Sequence, residues 1–438
     1  MPEEEQAGRK REKKLIGHLR RQPHRVIDHR FPDQTADNSP EKSERFHSRC
    51  RVYFAAARIP LNSRDRRVRI SLPNELKRIL ILTAGFGEGH NSAARGLKEG
   101  LAANAAEAEV HDLFAETYGP VNNWARKAYL SLINRAPQTW ASLYKWIDAR
   151  KNFRGNLRFL FLLKNRLSTL LVRFRPDVVV SVYPAYPYLL DELLGNTNRA
   201  PFRRVVVVTD SITVNAIWFR CEADFFLVPN IQTAAVLQSA GVPEPIIKVF
   251  GFPVTPRFAQ IGESRQPPSD QFGRRVLYMV NAGTVDAPEL AQRLAELHNI
   301  ALTVTIGRDE RLRSMIESIR ARSERRFQII GWTDQMPRLL LESHLLIGKA
   351  GGATVQETIA ARCPMIVNQI VPGQEEGNAR LIVETGSGIV ITSPSKAAIA
   401  VENAFANDAR QWHEWAEKIS LLSRPAAALE IARFLLSL

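Results

Sequence analysis

Ten consecutive residues, Gly348-Lys-Ala-Gly-Gly-Ala-Thr-Val-Gln-Glu357, have the types and order to bind a diphosphate. The adjacent Gly351 and Gly352 let the backbone approach a ligand closely. The helical pattern that follows offers free N–H groups and partial positive charge in its first turn, which suits phosphate oxygens. Glu357 falls about one turn into that helix, where a carboxylate can accept both hydroxyls of a ribose. Thr354 and Glu357 also have the spacing of an ordinary capping box, so the spacing alone leaves both readings open.

Two more loops carry polar chemistry. In Val371-Pro-Gly-Gln-Glu-Glu-Gly-Asn378, the side chains of Gln374, Glu375 and Glu376 suit sugar hydroxyls. A solvated loop with Asn378 opening a helix is the plainer alternative. In Gly85-Phe-Gly-Glu-Gly-His-Asn91 no Gly-Lys-Ser/Thr follows, so it is not a Walker A loop. It is not Gly-x-Gly-x-x-Gly either, because the third glycine, Gly89, comes one residue early. His90 at the top of a strand could act as a general base, or merely cap the next helix.

These loops need a scaffold, and the pattern around them is strand, glycine turn, helix. Lys77-Arg-Ile-Leu-Ile-Leu-Thr83 reads as a strand, 91–103 as a helix and 108–112 as a second strand. Further strand signals lie at 177–182, 204–210 and 223–228, then at 275–280, 301–306, 327–330, 345–347 and 364–367. Continuous β-branched runs are typical of parallel strands buried on both faces. Between the two series, from Pro253 to Asp270, the composition shifts to Pro, Gln, Ser and Arg, as in a linker. The expected organisation is a basic, mostly disordered tail over 1–75, an α/β domain over 76–256, a linker over 257–272 and a second α/β domain over 273–420. A last helical segment over 421–438 could cross back to the first domain. Ligands of such sheets sit beyond the carboxyl ends of the strands.

Composition narrows the class. The chain has 438 residues, enough for two or three domains at about 100–200 residues each. Cys50, Cys221 and Cys363 have no metal-ligand or redox spacing, which fits a reducing cytosol. No apolar run approaches the roughly 18–20 residues of a membrane span, and Lys164 and Arg166 break off the nearest, Phe159 to Leu163. The start, Met-Pro-Glu-Glu-Glu, lacks the apolar core of a secretory signal. The net charge is +15, about half of it within 1–75, and such an excess attracts phosphates of nucleic acid or anionic lipid. No nucleic-acid-binding motif accompanies the charge, so no nucleic-acid partner is expected. From 122 to 150, Trp124, Tyr129, Trp140, Tyr144 and Trp146 interleave with Arg126, Lys127, Arg135 and Lys145. That pattern suits helices lying in a membrane interface, and equally a pair of core-packing helices.

Taken together, the motifs resemble the monogalactosyldiacylglycerol synthase and processive diacylglycerol glucosyltransferase group of glycosyltransferase family 28. The similar stretches are Thr83-Ala-Gly-Phe-Gly-Glu-Gly-His-Asn-Ser-Ala-Ala94, Arg175-Pro-Asp-Val-Val-Val-Ser181, Val208-Thr-Asp210 with Trp218, Phe250-Gly-Phe-Pro-Val254, Gly331-Trp-Thr333, Lys349 to Glu357 and Gly373 to Asn378. The resemblance implies a GT-B fold, in which two Rossmann-like domains face a central cleft. It also implies an inverting mechanism that needs no metal or other cofactor. It places the UDP diphosphate on Gly351 and Gly352, the ribose on Glu357 and the donor sugar on Gln374 and Glu375. Thr354, Asn378 and Gly283 complete the donor side. His90 faces the acceptor hydroxyl as base, with Asp112 or Asp210 as helper. Gly87, Gly89, Asn91, Asn215 and Trp218 form the acceptor-side loops.

The chain departs from the family pattern in three places. Asn215 stands where the family usually has a histidine. Val280-Asn-Ala-Gly-Thr284 has fewer glycines than the usual turn. The basic tail has no matching counterpart. The expected partners are a UDP-sugar, a lipid acceptor such as diacylglycerol, and an anionic cytoplasmic membrane surface to which the chain binds peripherally. Alternatives on the same fold are N-acetylglucosamine transfer to a lipid-linked intermediate, UDP-sugar epimerisation and non-catalytic UDP-sugar binding.

Overall fold

The computed structural model describes residues 77–86, 88–122, 124, 160–195, 200–261, 265–269, 273–280, 286–324, 327–372 and 375–438. The aromatic-basic stretch over 122–150 falls mostly outside the described residues, as do Gly87, Gly283 and Gln374.

The first domain begins with β1 (Arg78–Thr83), α1 (Glu88–Ala102) and β2 (Glu107–Asp112), followed by a helical stretch from 113. It continues with α2 (Phe161–Phe174), β3 (Val178–Ser181), α3 (Ala185–Leu194), β4 (Arg203–Val207), β5 (Phe225–Val228), α4 (Ile231–Ser239) and β6 (Ile247–Val249). Its six strands run in the order β2-β1-β3-β4-β5-β6, and every pairing is parallel. The Ile, Leu and Val runs of β1 and β3 are buried on both faces, as parallel strands between helices must be.

The second domain holds α5 (Arg257–Ile261), β7 (Arg275–Met279), α6 (Ala287–Glu296), β8 (Ala301–Thr305), α7 (Glu310–Arg322), β9 (Gln328–Ile330) and α8 (Met336–Glu342). Then come β10 (Leu345–Lys349), α9 (Gly352–Ala360), β11 (Met365–Gln369), α10 (Glu376–Glu384), β12 (Gly388–Val390) and α11 (Pro394–Leu422), which is broken by a kink over 406–409. Its sheet is also parallel, in the order β12-β11-β10-β7-β8-β9.

Both sheets reverse their winding direction once. The first does so between β1 and β3, the second between β7 and β10. Such switch points leave a crevice at the carboxyl ends of the strands. The glycine turn after β1 and the Gly351-Gly352 turn after β10 therefore open at the two places where an α/β sheet binds ligands.

A final helix, α12 (Ala427–Ser437), packs on α1 of the first domain, and its Ile431, Ala432 and Leu435 join Ile79, Ile81 and Leu97 in one core. The segment expected as linker is anchored where it is described. Phe258 of α5 is buried in the second domain's core, and Arg265 donates hydrogen bonds to the Ser343 and Arg362 carbonyls at 2.7 Å each. Among the described residues, no helix is long and apolar enough to cross a membrane.

Several element limits differ from the expected ones. The helix expected at 91 begins at Glu88, whose acidic side chain suits a helix start. His90 consequently sits in the first turn of a helix, not on the strand. The strand expected over 204–210 stops at Val207, although Val208 N–H still donates to the Leu227 carbonyl, and the Thr209 carbonyl then lies beside Gly352 of the second domain. β6 and β12 have three residues each, too few to show a periodic signal.

Candidate active site

The first wall of the cleft is the amino end of α1. Gly89 there faces the amino end of α9: a Cβ on Gly89 would lie 3.9 Å from the Ala353 backbone nitrogen. His90 is half-buried. Its Nδ1 lies 3.1 Å from Thr209 Oγ1, and Tyr183 stands edge-on at 5.1 Å between ring centroids. The indole of Trp218 tilts over the imidazole at 5.8 Å. Burial pushes the imidazole pKa down to about 4, and a hydrogen bond with the Val182 backbone acts in the other direction. At neutral pH the ring is therefore uncharged and can accept a proton.

The two expected helpers act at one remove. Asp112 receives the Gly85 N–H at 2.8 Å and the Ala115 N–H at 2.9 Å, so it fixes the glycine turn and caps the following helix. Asp210 accepts the Trp218 Nε1–H at 2.8 Å and thus holds the indole against His90. Burial raises the Asp210 pKa to about 6, and the Trp218 hydrogen bond opposes that shift. Asn91 accepts from Thr83 Oγ1 at 3.1 Å, bracing the same turn. Asn215 caps the short turn Ala216–Trp218 through Ile217 N at 3.0 Å, and its buried amide nitrogen finds no partner.

The second wall is the turn between β10 and α9. Gly351 is the helix N-cap and makes no side-chain cap, so the first N–H groups of α9 stay available to the cleft. Because α9 starts at Gly352, Thr354 lies inside the first turn and the Thr354–Glu357 capping box does not form. Glu357 instead reaches across the cleft, where its Oε1 accepts from Ser92 Oγ of α1 at 3.1 Å. Burial raises the Glu357 pKa to about 7, while the Ser92 hydrogen bond and the Arg95 charge pull it down.

Beside this turn, Glu375 pairs through Oε1 with Lys349 Nζ at 2.7 Å and accepts the Val371 N–H through Oε2 at 2.9 Å. Asn378 donates to the Ala350 carbonyl at 3.1 Å, and its buried Oδ1 has no partner. The walls also meet directly. Gln356 Nε2 donates to Ser211 Oγ at 3.0 Å, and a Cβ on Gly377 would lie 2.1 Å from the Ser211 carbonyl oxygen. A cavity of about 470 Å³ elsewhere, lined by Arg274, His298, Glu402 and Asp408, opens near the amino ends of β7 and β8. It lies at the amino ends of the strands, whereas the glycine turn lies at their carboxyl ends, and it plays no part in this site.

The described site thus brings His90, Gly89, Thr354, Glu357, Gly351 and Gly352 into one cleft, with Glu375 and Asn378 at its edge. Sequence reasoning assigns no role to Ser92, Thr209, Tyr183 or Lys349, although Ser92, Thr209 and Lys349 lie inside the motifs named above. Their roles rest on contacts between segments far apart in the chain, 265 residues for Ser92 and Glu357 and 119 for His90 and Thr209.

Two parallel-sheet Rossmann-like domains that face each other with their ligand-binding turns inward define the GT-B fold, and the family matches that follow make the chain a glycosyltransferase. Residues 90–254 match the family model for monogalactosyldiacylglycerol (MGDG) synthase, and residues 283–413 match the glycosyltransferase family 28 C-terminal domain. The chain belongs to the family 28 group that includes the MGDG synthases and the processive diacylglycerol glucosyltransferases. It is 26% identical to monogalactosyldiacylglycerol synthase 2, chloroplastic, of Arabidopsis thaliana, over 82% of this chain and 80% of that one. It is 24% identical to the processive diacylglycerol beta-glucosyltransferase of Bacillus subtilis (strain 168), over 76% of this chain and 88% of that one. The crystal structure of Acinetobacter baumannii MurG shares the fold, with a TM-score of 0.54 at 14% identity over 83% of this chain and all (100%) of that one. The S. aureus MnaA–UDP co-structure shares it with a TM-score of 0.53 at 15% identity, over 81% of this chain and 95% of that one.

Proposed function

We propose that this glycosyltransferase moves a hexose from a UDP-sugar to a diacylglycerol-type lipid acceptor, with inversion at the anomeric carbon. The observation that carries the reading is the pairing of two opposed helix ends across the cleft. One presents a neutral imidazole, and the other presents uncapped N–H groups beside a carboxylate set for a ribose. An alcohol is a poor nucleophile near neutral pH, and His90 supplies the base that takes its proton. The departing diphosphate gains negative charge, which the α9 N–H groups face without reorganising. Transfer therefore needs no metal, and the rate should be unchanged by EDTA. The names of the relatives, MGDG synthase and diacylglycerol beta-glucosyltransferase, support the acceptor class.

Membrane contact at the acceptor side is supported by large exposed apolar side chains at the start of the aromatic-basic stretch and at the start of α2. Trp124 is 72% exposed and Phe161 58%. Lys164, Arg166 and Arg173 follow on α2, where they pair with Glu192, Glu116 and Glu109 and so lend the face little net positive charge. Sedimentation with anionic vesicles should show binding that weakens with salt, and no binding at low salt would refute the membrane part.

The activity itself is tested by UDP release across a panel of UDP-hexoses, with and without diacylglycerol vesicles. Release that requires both one UDP-hexose and the vesicles is expected. Conversion of the UDP-sugar without UDP release would mean an epimerase.

A further inference from the structure

The ion pair between Lys349 Nζ and Glu375 Oε1 lies at the mouth of the glycine turn. A Cβ built on Gly351 would meet Lys349 Cε at 3.7 Å and Glu375 Oε1 at 3.8 Å, so the two charges converge over the residue that starts α9. The Glu375 carboxylate is occupied at both oxygens, by Lys349 and by the Val371 N–H. It is also nearly closed to solvent, with its side chain 8% exposed against 27% for Lys349. Each oxygen keeps a further lone pair, so it is the enclosure and the Lys349 contact at Oε1 that stand between this carboxylate and a sugar hydroxyl. Next to it, the buried Asn378 Oδ1 lacks a donor altogether. The pair also stands at the switch point of the second sheet, on the strand end that leads into the uncapped helix. A lysine ammonium is a compact charge on a flexible stem and can move between oxygen acceptors a few ångströms apart.

We propose that Lys349 is a donor-binding residue that moves from the Glu375 carboxylate to the β-phosphate of the bound nucleotide sugar, and thereby frees Glu375 to accept hydroxyls of the transferred hexose. This rests on the reading of the cleft as a UDP-hexose site. In the transfer, the bond from the anomeric carbon to the β-phosphate oxygen breaks and its electron pair leaves on that oxygen. The acceptor oxygen bonds to the anomeric carbon, and its proton passes to His90. The ammonium then faces an oxygen that becomes more negative as the bond breaks, which stabilises the transition state more than the ground state. The exchange also couples the two halves of donor recognition. A nucleoside without phosphates leaves the ion pair closed, whereas a diphosphate opens the carboxylate that reads the sugar.

The test is calorimetric titration of the full chain with uridine, UDP and the UDP-hexose it uses, together with steady-state kinetics. Lys349→Met should weaken UDP binding about 10- to 100-fold, as expected for loss of a charge-assisted hydrogen bond. Its uridine affinity should equal the parent's, which also shows that the fold is intact. Turnover should fall as well as donor affinity, and Lys349→Arg should recover most of the UDP affinity. Glu375→Gln removes the competing carboxylate, so UDP should bind more tightly while the preference among UDP-hexoses is lost. Unchanged UDP affinity in Lys349→Met would overturn the proposal, as would equal losses for uridine and UDP. A parent chain that binds neither UDP nor any UDP-hexose would instead overturn the reading of the cleft itself.

Discussion

The two walls of the cleft are built by the same device and filled with opposite chemistry. Each is a strand that ends at a switch point, a glycine-bearing turn and the first turn of a helix. The first wall surrounds a neutral imidazole with aromatic rings, and Asp210 on the same side is bound to Trp218. The second offers bare N–H groups, an ammonium and carboxylates. A neutral imidazole keeps a lone pair for an alcohol proton, although burial weakens it as a base, whereas backbone dipoles and a cation suit a diphosphate. Topology places both turns at sites where such sheets bind ligands, and in the proposed reaction the side chains on each turn set which half each wall performs.

The sharpest way to separate the walls is to remove the base. His90→Ala should lower turnover by about 10²–10⁴-fold while UDP affinity stays at the parent value. Unchanged turnover would remove the base role from the first wall.

Glu357→Ala should do the reverse and weaken UDP-sugar binding by about 1.5–3 kcal/mol, because it deletes hydrogen bonds to a charged group. In the proposed role the carboxylate would accept ribose hydroxyls best when ionised, and burial raises its pKa to about 7. Donor affinity should therefore rise with pH through that region and lose the dependence in Glu357→Gln. His90, lowered to about 4, is neutral across the same range and contributes no step there. A step that survives in Glu357→Gln would belong to another group, with Asp210 at about 6 next in line.

The contact that joins the walls can also be broken. Gly377→Ala would put a methyl 2.1 Å from the Ser211 carbonyl oxygen and 2.2 Å from Thr213 Oγ1. The overpacking should cost about 1–3 kcal/mol in denaturant unfolding. It should also disturb both walls, so turnover and UDP affinity fall together, unlike either single-wall variant.

Much of this scaffold is legible in the amino-acid sequence. The runs at β1, β3 and β7 are continuous, apolar and followed by turn residues, which is a local signal. β6 and β12 have three residues each and exist because a neighbouring strand offers them an edge. The Gly351-Gly352 turn is legible for the same local reason. The partners of its neighbours are not. Thr354 and Glu357 have capping-box spacing, yet Glu357 bonds to Ser92 of the other domain. Asp112 and Asp210 stand out as acids near His90, but their partners, the Gly85 N–H and the Trp218 indole, are set by how loops fold over one another. Periodicity and turn chemistry carry the elements, and long-range contacts carry the site.

The division of labour between the walls is most directly tested by a crystal structure with a non-hydrolysable UDP-hexose bound. The diphosphate should lie within hydrogen-bond distance of the Gly352 and Ala353 N–H groups, with the ribose hydroxyls on Glu357 and His90 facing the anomeric carbon from the side opposite the leaving oxygen. A donor seated against the aromatic wall around His90, with the α9 turn left vacant, would contradict the account.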